Sequence, residues 1–98
     1  MAEDKILLII EEQFLFGFNG RINILRVDNN QLVGVVYQKN GFLVQAEYGG
    51  VKGKKALFNL VFDDVEGDKH FKFVVEPEVV VDKTEAFKYT YDDFYRKV

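Results

Sequence analysis

The stretch "LVGVVYQKNGFLVQAEYGGVKGKKALFNLVF", Leu32 to Phe62, decides the fold. Two runs rich in Val, Phe and Tyr flank Asn40-Gly41. Both residues of that pair tolerate positive φ, which a two-residue hairpin turn requires. The runs 32–38 and 42–48 therefore pair as antiparallel strands. Upstream, "RINILRV" and the turn "VDNNQL" (Val27 to Leu32) add a strand over roughly 21–27, completing a three-strand meander. In the third strand, period-two alternation sets Phe42, Val44, Ala46 and Tyr48 on one face and Gln45 and Glu47 on the other.

Beyond Gly53 the period changes. Leu57, Leu60 and Val61 fall on one helical face with Ala56 beside them, and the charged "DDVEGD" with Gly67 ends that helix. "FKFVVEPEVVV" (Phe71 to Val81) predicts a further strand. Its Pro77 cannot donate to a ladder, so the strand is an edge or breaks there.

The two ends read less simply. Ile6, Leu7, Ile10 and Phe14 form a helical stripe, although "FLFGF" before Asn19-Gly20 also resembles a hairpin arm. A helix over roughly 3–13 followed by an extended segment fits better. In the tail, Phe87, Tyr91, Phe94 and Val98 fit a helix capped by Thr84, while Phe87, Tyr89 and Tyr91 also alternate like a strand. The helical pattern accounts for more residues. The sum is one α+β domain over residues 1–98: an antiparallel meander sheet of about four to five strands with two to three helices.

Composition narrows the function. Ninety-eight residues, 48% hydrophobic and 15% aromatic, support one core without staples. The chain has no cysteine, so disulfides and thiolate metal sites are out. The N-terminal apolar run, Ile6 to Ile10, is far short of the ~20 residues of a membrane span, and its flank is acidic. A cytoplasmic protein without a membrane partner is the expectation. Net charge is −3, and basic residues cluster only at Lys52, Lys54 and Lys55, so nucleic acid is not an expected partner.

Motifs for chemistry fail on counting. The Walker loop needs four residues between its glycines and a hydroxyl after its lysine; Gly49 and Gly53 have three between them, and Lys55 follows Lys54. What survives is weaker: amides at a helix N-terminus with Lys52, Lys54 and Lys55 nearby attract anions. Those lysines oppose the helix dipole by ~0.3–1 kcal/mol each. The plainer alternative is that glycines make the turn and lysines keep it soluble. Asp63, Asp64, Glu66 and Asp68 lack calcium-loop spacing and read as a solvated connection. His70 is the only histidine, and Asp92-Asp93 are adjacent rather than convergent, so no catalytic, metal or cofactor site is expected. Fifteen aromatics in so small a chain leave Tyr37, Tyr48, Tyr89, Tyr91 and Tyr95 as candidates for an exposed interface patch, with ordinary burial as the alternative.

One ordered series of motifs carries a family resemblance. Gly20 opens the strand "RINIL"; Gly41, Leu43, Val44 and Ala46 follow as G-x-L-V-x-A; Gly50, Gly53, Ala56, Leu57 and Leu60 follow as G-x-x-G-x-x-A-L-x-x-L; Phe71 and Phe73 close as F-x-F. Over residues 19–75 the sequence resembles the PATAN-type domains of bacterial signalling proteins, which occur beside receiver domains and alone. Two departures stand out: Asp68-Lys69-His70 displaces the glycine that precedes the first Phe, and the N-terminal segment lacks the Leu-rich helix pattern. The resemblance implies a non-catalytic α+β module that acts through a protein partner or as a homodimer. The small residues Ala46, Gly50, Gly53 and Ala56 predict a close strand–helix approach. The alternative function is a small-ligand or anion sensor at the turn 49–55.

Overall fold

Asn40 and Gly41 take φ of 53° and 86°, and Lys39 pairs with Phe42 across them. Two consecutive positive φ values define the hairpin turn whose twist matches that of its strands. A computed structural model of the chain describes residues 6–66, 71–78 and 87–90. The elements run α1 (Ile6–Leu15), β1 (Gly20–Arg26), β2 (Leu32–Lys39), β3 (Phe42–Tyr48), β4 (Val51–Lys52), α2 (Lys54–Glu66) and β5 (Phe71–Pro77). All strand pairs are antiparallel, in the order β4-β3-β2-β1-β5. An α+β domain with a meander sheet is thus the architecture. β1, β2 and β3 lie within a residue or so of their expected bounds.

The core sits between the sheet and the helices. Ala56, Leu57, Leu60 and Val61 of α2 are fully buried, as the helical period requires, against Ile22, Ile24, Val36, Leu43 and Ala46. Ile6 and Ile10 of α1 complete the cluster. Each Leu, Ile or Val among them contributes roughly 1.5–3 kcal/mol through burial. Phe71 and Phe73, the last two residues of the family-like series, are half-buried beside it.

α1 runs to Leu15 and stops at a glycine. Gly17 (φ 66°) donates to Phe14 O at 3.1 Å and Phe18 donates to Gln13 O at 3.0 Å, the two bonds of a Schellman motif. "FLFGF" is therefore a helix terminus, not a hairpin arm. The loop then docks on the β2–β3 turn: Gly41 N–H donates to Phe18 O at 2.8 Å, and Asn40 N–H to Asn19 Oδ1 at 3.0 Å. A Cβ on Gly41 would lie 2.8 Å from Phe14 O, so this glycine answers both to φ and to the helix end packed on it.

Two expectations are corrected. The register of β3 shifts opposite Tyr37/Gln38, which leaves Val44 as a bulged residue. Leu43 therefore joins Ala46 in the core cluster, while Val44 is buried outside it. In the tail, residues 87–90 are extended rather than helical: Tyr89 and Leu43 exchange backbone bonds at 2.9 and 2.8 Å, and Phe87 N–H donates to Val44 O at 3.1 Å. The remainder of the tail, with Tyr91, Asp92, Asp93, Phe94 and Tyr95, lies outside the described residues, as do Gly67, Asp68 and His70. The strand starting at Phe71 ends at Pro77, the break its missing N–H allows, and residues 79–81 lie outside the described residues.

Candidate functional site

The turn 49–55 resolves into two backbone devices. Gly49 (φ 59°) and Gly50 (φ 83°) form a second two-residue hairpin, closing Tyr48 on Val51 and Glu47 on Lys52. Gly53 (φ 89°) donates to Ala46 O at 2.9 Å, and its own carbonyl accepts from Leu57 N–H at 3.3 Å. One residue thus seals the hairpin against β3 and starts α2. A Cβ added at Gly49, Gly50 or Gly53 would meet open space within 4 Å, so these glycines serve positive φ and not a close approach. Of the four small residues expected to let strand and helix close up, Ala46 and Ala56 do so, both fully buried.

Lys52, Lys54 and Lys55 are exposed around this turn, and Lys52 stands opposite Glu47 in the ladder. Beside it lies an open concavity of about 290 Å³, bordered by Leu32, Val33, Val35, Glu47, Tyr48 and Lys52. Its rim carries one acid and one base over an apolar floor. The glycines that suggest an anion cradle in the sequence are thus accounted for by backbone geometry.

The acidic run has structural work that its composition hides. Tyr48 hydroxyl donates to Asp63 Oδ2 at 2.5 Å, and burial, followed by this bond and the charges of Asp63 and Asp64, pushes the phenol pKa well up. Asp64 is 3% exposed, and its Oδ2 accepts from the Ile6 N–H at 2.8 Å, supplying an acceptor to the first residue of α1. Neighbours on a helix point about 100° apart, so one aspartate holds β3 and the next holds α1. Asp63 and Asp64 thus form a clasp, not part of the solvated connection expected. Sequence offered no signal for it, because both partners are distant in the chain.

Among the described residues, Tyr37, Tyr48 and Tyr89 do not assemble into one patch. Tyr48 packs on the core cluster, its ring 6.0 Å from that of Phe71. Tyr37 sits half-buried opposite Arg21 in the β1–β2 ladder, outside that cluster. Tyr89 stacks at 5.3 Å on Phe87. The large apolar side chains left exposed lie elsewhere: Leu8, Leu15 and Phe16 around α1, Val27 and Leu32 flanking the β1–β2 turn, Phe62 on α2, and Val74 and Val75 on β5.

β5 is the feature most unlike the rest. It pairs with β1 alone and has no neighbour on its far side among the described residues. Val74 is 47% and Val75 37% exposed. Antiparallel ladders alternate residues that bond the neighbour with residues that point away. Glu78 N–H donates to Asn19 O at 3.3 Å, so Glu76, Val74 and Lys72 bond inward to β1. The backbone groups of Phe71, Phe73, Val75 and Pro77 point outward. Pro77 lacks its N–H on the open side, where no ladder bond is lost. On the β5 side chains, Glu76 accepts from Arg21 Nε at 2.8 Å and from Asn23 Nδ2 at 3.3 Å, bonds that lower its pKa.

No family model matches the chain, and neither curated proteins nor solved structures yield a match. Among the described residues no helix is long and apolar enough to cross a membrane, and no group of three or more His, Cys, Asp or Glu converges as a metal site.

Proposed function

We propose that this chain is a non-catalytic signal-transduction module of PATAN type that works by binding protein, through a partner or its own copy, along the β5 edge. One observation carries the reading: a seven-residue strand with outward backbone donors and acceptors and two exposed valines. Such an edge recruits an added strand unless it is covered, bulged or charged against pairing. The order of motifs from Gly20 to Phe73 supports the signalling class.

The alternative, an anion or small-ligand sensor at 49–55, has no comparable support, since its glycines are already explained by the hairpin and the helix start. Titration with phosphate and nucleotides, followed by amide NMR, is expected to leave residues 49–56 unmoved.

The edge itself is tested with Val75→Pro. This removes an outward N–H and no ladder bond, so the fold is retained while pairing is blocked. Affinity capture from cell lysate should retain at least one protein on the original chain, a second copy included, that Val75→Pro fails to retain. Identical captures with both would overturn the assignment.

A further inference from the structure

We infer that the occupant of the β5 edge is β5 of a second copy, paired antiparallel about a two-fold axis at Val74; the inference rests on the edge-binding reading above.

The register follows from two constraints. Only Phe71, Phe73, Val75 and Pro77 present outward backbone groups, so these must meet one another across the axis. Among the registers this allows, the one with Val74 facing the partner's Val74 pairs both charged residues of the strand: Lys72 faces the partner's Glu76 and Glu76 faces the partner's Lys72. A one-pair slide in either direction sets Lys72 or Glu76 opposite a valine. In the charge-matched register Phe73 and the partner's Val75 exchange both backbone bonds, and so do Val75 and the partner's Phe73. At each end the Phe71 N–H reaches the Pro77 carbonyl, and only the bond that proline cannot donate is missing.

Side chains agree with the backbone. Lys72, Val74 and Glu76 share one face of β5, and Phe71, Phe73 and Val75 the other. On the first face the two-fold sets a valine pair between two salt-bridge pairs. On the second it packs Phe73 against Val75, and both are incompletely buried in the single chain. Aromatic–aliphatic and opposite-charge cross-strand pairs each stabilise a sheet. An edge lysine ordinarily guards against pairing. Lys72 is the exception because the symmetric partner supplies a carboxylate. The product is one continuous sheet through two molecules, with β4 at both outer ends.

The test is sedimentation of the purified chain across a concentration series, with Lys72→Glu, Glu76→Lys and Val75→Pro. Circular dichroism and melting curves confirm that each variant folds. The original chain is expected to dimerise with rising concentration, and Val75→Pro to remain monomeric. Lys72→Glu and Glu76→Lys, each self-repelling at both ends of the pair, should weaken self-association about tenfold. Mixed with each other they should associate again, since every 72–76 contact in the mixed pair is then between opposite charges. Arg21 keeps a carboxylate in the Glu76→Lys variant, because Glu78 also lies 3.3 Å from it.

A chain that stays monomeric at every concentration overturns the inference. If it is monomeric yet captures another protein in a Val75-dependent way, the edge-binding reading stands and self-pairing falls. Dimers indifferent to Val75→Pro place the contact elsewhere. Dimers lost with Val75→Pro but not restored by mixing the two charge variants refute the register.

Discussion

At one side of the sheet the chain closes β3 twice. The Gly49-Gly50 hairpin lays β4 along its C-terminal half, and residues 87–90 lie along its N-terminal half. At the other side β5 takes its bonds from β1 and offers the rest outward. The closed edge also has α2 packed against it, whereas β5 exposes Val74 and Val75. The difference teaches that this fold can protect an edge when stability alone is at stake, with glycines, a helix and a returning segment. Among the described residues β5 has none of these devices, and Pro77 caps the strand without blocking its middle.

Substitutions should separate the two sides by their size of effect. Leu57→Ala, in the helix behind the closed edge, removes a fully buried side chain and should cost about 2–5 kcal/mol in denaturant unfolding. A smaller loss would mean that α2 is not the buttress described. Asp64→Ala strands the Ile6 N–H in a buried position and should cost about 1–3 kcal/mol. Asp64→Asn, which keeps an acceptor oxygen, should recover part of it.

Alkaline pH probes the same side more gently. Burial and Asp63 raise the Tyr48 pKa above the ordinary 10.0. Its neutral, hydrogen-bonded form therefore stabilises the fold fully below pH 10, and that contribution is lost as pH rises beyond it. Tyr48→Phe should remove this loss at the expense of about 1 kcal/mol at neutral pH, read from unfolding curves at a series of pH values. Smallest of all is the open edge. Val74→Lys should change monomer stability by no more than about 0.5 kcal/mol, because the side chain is half in water. A large change at Val74 would show that the strand is covered.

Much of the closed edge was legible. Asn40-Gly41 named its turn because both residues tolerate the φ the turn demands, and Ala56, Leu57, Leu60 and Val61 named the buried face of α2 by period. β4 was missed because Val51-Lys52 is too short to show alternation, although Gly49-Gly50 between Tyr48 and Val51 is itself a hairpin signal. The β3 bulge escaped since one extra residue changes which side chains face inward without changing their identity. Asp63 and Asp64 looked like solvent-exposed acids because their partners, Tyr48 and the Ile6 amide, are brought to them only by tertiary packing. Pro77 marked β5 as an edge, but whether that edge is left open depends on what the rest of the chain does.

The position of β1 has a consequence for how the molecule assembles. It lies between β2, which follows it by a short turn, and β5, which follows only after the other strands and α2. Local pairs form before distant ones, because each long loop must be closed before its contacts stabilise anything. Pairing β5 with β1 therefore carries a large loop-closure cost, and wherever it has not yet formed β1 presents the unpaired rim. A nascent chain concentrated in that state can receive β5 from a neighbour in place of its own, so slow arrival of β5 is the step at which strand exchange between molecules competes with folding.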